Sequence, residues 1–158
     1  MANIDLRNPS KAETDSLYNL YDAGNYSGAE EFCLQLLNRY PESGFVLNML
    51  GVVLNCQSRE SEAINAYKQA IRVEPGYADS YNNLGLIIKK RGNQEEALQR
   101  FKQAVKADPD YVEARNNLGV TLQELDQHEA ALEHLEKATS ISPNVAFIHF
   151  NYAKSLRI

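Results

Sequence analysis

The chain has 158 residues, 44% hydrophobic and 23% charged, with a net charge of −5 at pH 7, a composition typical of a soluble globular or solenoid protein. The negative charge argues against broad electrostatic binding to nucleic acid or to an anionic membrane. Because no stretch is apolar enough for a membrane span and the N-terminus lacks the apolar core of a signal peptide, we predict a cytoplasmic protein with no membrane insertion and no nucleic-acid partner.

Residues of one type recur every 34 positions along the chain. The columns include prolines at Pro41, Pro75, Pro109 and Pro143, alanines at Ala29, Ala63, Ala97 and Ala131, and glycines at Gly51, Gly85 and Gly119. So many columns at one spacing identify an internal repeat. The repeat predicts a flexible N-terminus at 1–9 and a repeat domain at 10–158, with units 10–43, 44–77, 78–111 and 112–145 and a half unit 146–158.

Each unit is predicted to contain two helices. A capping box from Ser10 to Glu13 starts the first helix, and a second box is predicted from Asp110 to Glu113. The third unit shows a helical apolar face at Tyr81, Leu84, Gly85 and Ile88 and a second one at Ala97, Leu98, Phe101, Ala104 and Val105. The turn between the two helices holds Gly24, Ser58, Gly92 and Asp126 in successive units, all turn-tolerant types.

Small residues recur where the two helices of a hairpin must approach closely. A larger side chain at Gly85 or Ala97 would overpack the contact, at a cost of roughly 1–3 kcal/mol. The two cysteines, Cys33 and Cys56, form neither a disulfide framework nor a zinc pattern. We predict that both are buried small apolar residues.

These columns resemble the tetratricopeptide repeat, or TPR. The third unit supplies the residues of the family pattern, which are Tyr81, Leu84, Gly85, Ile88, Ala97, Phe101, Ala104 and Pro109. The resemblance implies an all-α fold, a right-handed superhelical solenoid of antiparallel helix hairpins, in which the first helices line a concave groove. The first unit departs from the pattern at Glu13, Ser16 and Leu17, as an N-terminal capping unit would.

The half unit 146–158 is predicted to be a single first helix with a largely apolar surface. Its apolar residues include Phe147, Ile148, Phe150, Tyr152, Leu156 and Ile158. A terminal helix of a repeat array normally has a polar outer face. Two interpretations stay open: the natural protein continues past residue 158, or the exposed face of this helix pairs with another chain. Both predict self-association, through Phe147, Phe150 and Leu156.

The sequence offers no site for catalysis, a metal or a cofactor. It contains no phosphate-binding glycine loop and no H-E-x-x-H motif. His128 and His134 are separated by about 240° around a helix, so they cannot share a metal on one face. We therefore predict a non-enzyme that uses no cofactor.

Asparagines recur at the fifth and sixth positions of the first helices, counted from the unit starts. They are Asn48, Asn82 and Asn116 at the fifth position and Asn83, Asn117 and Asn151 at the sixth. Asparagine is a poor helix former, so its repetition indicates a role. One interpretation is that the amides, which both donate and accept hydrogen bonds, hold an extended peptide backbone. The other is that they bond between neighbouring first helices or serve only solubility.

The sixth-position row resembles the asparagine ladder in the TPR arm of O-GlcNAc transferase, and this resemblance favours a peptide ligand. Three asparagines with two bonds each would contribute ~6 kcal/mol at best, which association costs largely offset. We therefore expect further contacts along the groove, from Val52, Leu86 and Val120 for apolar side chains and from Lys89 for acidic groups.

The leading hypothesis is a non-catalytic protein-interaction scaffold that binds an extended peptide or partner protein in its concave groove. One alternative is the N-terminal substrate-recruiting TPR arm of a larger enzyme of the glycosyltransferase or sulfotransferase type. Another is a self-assembling scaffold that forms a homo-oligomer through its C-terminal helix.

Overall fold

A computed structural model describes residues 7–156, and within them the chain forms nine α-helices and no strand. The helices are α1 (Lys11–Asp22), α2 (Tyr26–Arg39), α3 (Gly44–Cys56), α4 (Glu60–Val73), α5 (Ala78–Lys90), α6 (Gln94–Ala107), α7 (Val112–Glu124), α8 (His128–Ile141) and α9 (Ala146–Ser155). The all-α prediction is confirmed. Residues 1–6 of the predicted flexible N-terminus and Ile158 of the predicted apolar surface lie outside the described residues. No helix in residues 7–156 is long and apolar enough to cross a bilayer.

The chain divides into two compact units, Met1–Ser80 and Tyr81–Ile158. In the first unit one core is built from buried residues of α1, α2 and α3, which are Leu17, Ala29, Cys33, Leu36, Val46, Met49 and Val53. In the second unit the largest fully buried side chains are Leu84, Phe101, Leu118, Thr121, Leu122, Leu135 and Ile148. Each helix therefore buries one face against its neighbours and leaves the other to solvent.

The close approach of paired helices is explained by the side chain opposite each glycine. A Cβ built on Gly85 would lie 2.7 Å from Cε1 of Phe101, and one built on Gly51 would lie 2.5 Å from Cε1 of Tyr67. These distances are far below van der Waals contact, so neither ring leaves room for a methyl group. The predicted close approach at Gly85 is confirmed.

The first repeat, residues 10–43, fills the same space with the large and small side chains exchanged. Leu17 occupies the position that glycine has in the next three units, and Cys33 occupies the position of the aromatic or leucine side chain. Both residues are fully buried. The bulky side chain has moved from the second helix to the first, which keeps the packed volume similar.

The two cysteines have different environments. Cys33 lies in the core of the first unit, as predicted, and its burial raises the pKa of its thiol to about 12. The prediction that Cys56 is buried is wrong, since it is exposed. It is the last residue of α3, and its sulfur lies 3.9 Å from the hydroxyl of Tyr21 rather than in the core.

The turns between paired helices share one backbone conformation. The central residues Gly24, Ser58, Gly92 and Asp126 have φ values of 71°, 63°, 85° and 57°. This is the left-handed region, which glycine adopts without strain and aspartate tolerates better than most residues. The predicted turn column is confirmed, and Ser58 is the member with the least intrinsic preference for it.

One of the two predicted capping boxes forms. Ser10 accepts a hydrogen bond from the backbone N–H of Glu13, and the Glu13 carboxylate accepts one from the backbone N–H of Ser10 at 2.8 Å. The predicted box from Asp110 to Glu113 is wrong, because the N-cap of α7 is Tyr111, which makes no side-chain cap. Asp110 lies one residue too early to reach the first turn.

Candidate functional site on the first helices

In each compact unit, the candidate site consists of the described side chains at the second, fifth, sixth, ninth, twelfth and thirteenth positions of the first helices α1, α3, α5, α7 and α9, counted from the repeat starts. We call it the first-helix face. Every peptide-binding residue predicted from the sequence belongs to it. The first compact unit contains its members on α1 and α3, and the second unit contains those on α7, α9 and most of α5.

In the first unit this face has an aromatic surface. Tyr18 of α1 is 45% exposed, and its ring meets that of Phe45 of α3 edge to face, with centroids 5.9 Å apart. Val52 of α3 is half-buried. Asn48 is buried, and its Oδ1 accepts a hydrogen bond from Oγ of Ser80 at 3.1 Å. The fifth-position amide of α3 is therefore closed to solvent, whereas the ring of Tyr18 is open to it.

In the second unit the asparagines link neighbouring first helices. Nδ2 of Asn117 on α7 donates to Oδ1 of Asn82 on α5 at 2.9 Å. Nδ2 of Asn151 on α9 donates to Oδ1 of Asn116 on α7 at 2.8 Å. In both pairs the sixth-position amide thus bonds to the fifth-position amide of the preceding first helix. This is one of the two roles left open by the sequence.

The two asparagine rows differ in exposure. At the fifth position Asn82 and Asn116 are only 4% and 6% exposed. At the sixth position Asn83, Asn117 and Asn151 are half-buried. Among the described residues, no donor reaches Oδ1 of Asn117 or Asn151, so these two oxygens are available to an N–H of a ligand. Peptide binding by either row stays a prediction.

Three more residues of the second unit, Leu86, Val120 and Lys89, were predicted to contact a peptide. Leu86 is 43% exposed, and Val120 is half-buried. Nζ of Lys89 lies 3.0 Å from the carboxylate of Glu124, which also accepts a hydrogen bond from Gln94. The charge that Lys89 was predicted to offer to an acidic ligand is therefore already paired within the protein.

Two carboxylates of this face, Glu124 and Asp22, were not predicted from the sequence. Both stand at the thirteenth position of their first helix, in one column with Cys56 and Lys90. Reading that column for charge would have found them. Asp22 is exposed, and its charge acts on two neighbouring tyrosines.

Negative charge surrounds the aromatic surface of the first unit. Burial, Asp79 and Asp22 together raise the pKa of Tyr18. Burial and the Cys56 thiol, with a smaller contribution from Asp22, raise the pKa of Tyr21. Two carboxylates therefore lie close enough to Tyr18 to affect the ionisation of its phenol.

The last helix has a buried side and an exposed apolar side. Ile148 is fully buried, whereas Phe147, Phe150 and Leu156 are 51%, 70% and 59% exposed. Phe150 occupies the fifth position, where the three preceding first helices have a buried asparagine. Self-association through this side stays a prediction.

Among residues 7–156, the side chains that commonly bind metals are scattered. Within residues 7–156, no three histidine, cysteine, aspartate or glutamate side chains are grouped so that they could hold a metal ion. His134 is half-buried beside Arg115, with Nδ1 and Nη1 3.4 Å apart. Burial and the arginine charge lower the pKa of His134.

Comparison with protein families supports the repeat found in the sequence. Models of the TPR repeat match residues 57–90 and 87–126, and a model of the tetratricopeptide repeat matches residues 112–145. Together they cover residues 57–145, which is more than half of the chain. The chain belongs to the TPR family. No curated protein sequence matches this TPR protein.

Solved TPR structures share its fold. PilF of Pseudomonas aeruginosa is 23% identical, with a TM-score of 0.81 over 92% of this chain and 67% of PilF. A MamA structure is 20% identical, with a TM-score of 0.72 over 92% of this chain and 80% of MamA. YrrB, described as a TPR protein with an unusual peptide-binding site, is 24% identical, with a TM-score of 0.66 over 93% of this chain and 74% of YrrB. At these identities the likeness concerns the fold alone.

Proposed function

We propose that this TPR protein is a non-catalytic interaction scaffold that binds an extended segment of another protein through its first-helix face. The observation that carries the proposal is the combination of exposed apolar side chains and half-buried amides on the first helices. Tyr18 and Leu86 are 45% and 43% exposed, although both stand in helices whose other faces are buried. The peptide-binding site attributed to YrrB is consistent with such a use of the fold.

The hydrogen bonds between amides limit what the asparagines contribute. Asn117 and Asn151 each use one N–H on the neighbouring helix. Each retains an acceptor oxygen, which would bond to one peptide N–H for a net of about 1 kcal/mol. Most of the affinity must therefore come from apolar contacts, and Leu86 is the first candidate for them.

A selection experiment tests this proposal. A phage library of random twelve-residue peptides is panned on the full chain, and recovered peptides are tested against the Leu86→Glu variant. The matched control is Leu34→Glu, because Leu34 is 50% exposed but belongs to α2, a second helix. We expect recovered peptides to lose at least about tenfold in affinity with Leu86→Glu and to bind Leu34→Glu like the unmodified chain. Equal losses in both variants, or no enriched peptide, would contradict the proposal.

Self-association is a second candidate function, and the exposed side of α9 favours it. Phe147, Phe150 and Leu156 are each more than half exposed, and such side chains close together are usually covered by a partner. We propose a second copy as that partner. Sedimentation velocity should show a concentration-dependent oligomer that Phe147→Ser/Phe150→Ser abolishes and Leu34→Ser does not. A monomer at all concentrations would refute it.

Two finer hypotheses from the sequence stay predictions. One is that the chain is a recruiting arm of a larger glycosyltransferase or sulfotransferase. It stays a prediction because the solved structures described above share only the fold of this chain. The other is the cytoplasmic location.

A further inference from the structure

We propose that the first unit recognises a basic segment, with a lysine or arginine side chain of the partner seated on Tyr18 between the carboxylates of Asp22 and Asp79. An apolar side chain next to that residue would contact Phe45. We call Tyr18, Tyr21, Asp22, Phe45 and Asp79 the aromatic–acidic patch. The inference rests on the proposed function and names the class of segment that this part of the face would bind.

The aromatic side of the patch is the exposed ring of Tyr18, supported by Phe45. Tyr18 is 45% exposed and is held by its edge-to-face contact with Phe45. Tyr21 stands one helical turn further along α1, on the same side, and its ring centroid lies 5.8 Å from that of Tyr26. Tyrosine rings carry a negative π-face that attracts a lysine or arginine side chain. A cation approaching Tyr18 therefore meets a fixed ring and loses little entropy in ordering it.

The acidic side of the patch gains strength from the end of α1. Asp22 is the last residue of that helix, and the last turn contains no basic residue. The C-terminal end of a helix carries a partial negative charge, which here adds to the carboxylate rather than opposing it. Asp79 lies in the first turn of α5. Asp22 stands one helical turn after Tyr18, on the same side of α1. Burial and, with it, the charges of Asp79 and Asp22 raise the pKa of Tyr18.

The positive charge on the same side of α1 does not cancel the patch. Lys11 is paired with Asp15 in the first turns of the helix, at 2.7 Å. Lys11 and Asp22 are eleven residues apart, or about 16 Å along the helix, which is roughly twice the Debye length in physiological salt. Lys11 therefore contributes little to the potential that a basic side chain at Tyr18 would experience.

Peptides that differ only in charge test the inference. Three fluorescein-labelled nonapeptides consist of Thr-Xaa-Val repeated three times, with lysine, glutamine or glutamate at Xaa. Fluorescence anisotropy with the full chain in 50 mM and 300 mM NaCl gives their Kd values. We expect the lysine peptide to bind about tenfold more tightly than the glutamine peptide at low salt, and this preference to shrink at high salt.

Variants locate the effect. Asp22→Asn/Asp79→Asn should weaken binding of the lysine peptide about fivefold, and Asp22→Asn alone should cause part of that loss. Tyr18→Leu keeps an apolar side chain but removes the ring, and should weaken it about threefold. Glu31→Gln removes a carboxylate from the exposed side of α2 in the same unit and should leave the Kd unchanged.

The outcomes separate this inference from the function on which it rests. Equal Kd values for the lysine and glutamine peptides, or an equal loss in Asp22→Asn/Asp79→Asn and Glu31→Gln, would overturn it. If library selection still yields peptides sensitive to Leu86→Glu, the scaffold function stands and only the basic specificity fails. If neither the library nor the nonapeptides yield a binder, both fail together.

Discussion

Where the two helices of a hairpin meet, the side chain on one helix limits the volume available to the facing residue on the other. Gly51, Gly85 and Gly119 each face a bulky side chain of the second helix, and a Cβ on any of them would lie 2.5–2.7 Å from it. In the first repeat, Leu17 of the first helix is the large side chain and Cys33 of the second helix is the small one. The sequence predicted the close approach at Gly85. It did not predict the exchange of large and small side chains at Leu17 and Cys33, because that exchange is recognised only when these two residues are seen to face each other.

Exchanging the sizes in the third repeat should therefore be tolerated better than changing either residue alone. We expect Gly85→Leu to lower the free energy of unfolding by about 3 kcal/mol through overpacking, and Phe101→Cys to lower it by roughly 3 kcal/mol through the cavity it leaves. The double variant should lose at least about 1 kcal/mol less than the sum. Urea unfolding of all four proteins measures the coupling, and strictly additive losses would show that the two positions do not share one space.

At the scale of the element, amide pairs join each first helix of the second unit to the next. Asn82 and Asn117 join α5 to α7, and Asn116 and Asn151 join α7 to α9. Asparagine disfavours a helix interior by several tenths of a kcal/mol relative to alanine, and we expect the hydrogen bond of each pair to offset that cost. The expectation rests on the burial of Asn82 and Asn116, because a buried amide oxygen without a donor is costly. Their repetition was visible in the sequence, but their partners were not.

Removing the donor of one pair should be costly. Asn117→Ala leaves the buried Oδ1 of Asn82 unsatisfied and should lower the free energy of unfolding by about 1–3 kcal/mol. Asn82→Ala/Asn117→Ala removes both groups and should cost less than the sum of the two single changes. Asn55→Ala is the control, since Asn55 is exposed on α3 and alanine is the better helix former. If Asn117→Ala is as harmless as Asn55→Ala, the amide pair contributes nothing to stability.

At the scale of the whole molecule, proton binding couples stability to pH. Hydrogen bonds from Ser10 lower the pKa of Glu13 to about 2, and those from Arg59 lower the pKa values of Glu30 and Glu62. A lowered folded-state pKa contributes stability above the unfolded value, and that contribution is lost as pH falls. For Glu13 the loss spans the range from 4.5 to about 2.

His134 extends this loss toward neutral pH. Its folded-state pKa lies below its ordinary value of 6.5, so the folded protein takes up the proton less readily than the unfolded chain. Stability should therefore fall as pH drops below about 6.5. His134→Gln should remove the part of this fall that occurs between pH 7 and pH 5, before the carboxylates titrate. Urea unfolding at half-unit steps of pH measures it, and identical profiles for both proteins would rule out the contribution.

At alkaline pH, stability should fall as pH rises. Burial raises the pKa of Cys33 to about 12 and also raises that of Tyr67. Groups whose pKa is raised by folding contribute stability that is lost as pH rises above their unfolded values. The most stable range should therefore lie between about pH 7 and pH 9.

The sequence by itself determined the repeat, the helix pairs, the turn column and the small residues at the close approach. These features depend on local rules: the period of apolar residues, the conformations open to glycine and proline, and side-chain volume repeated at one spacing. The family followed from the same columns. Ser10 capped α1 as predicted, because a capping box involves only four consecutive residues.

Only the tertiary structure decided what the polar residues of the first helices do. It paired Lys89 with Glu124, gave Asn117 and Asn151 their partners, and left Cys56 exposed. Each of these outcomes depends on the distance between side chains 35 residues apart, or on the end of a helix. A polar side chain can bond to any of several partners, whereas a helix position that faces a large aromatic ring at close range has room only for glycine.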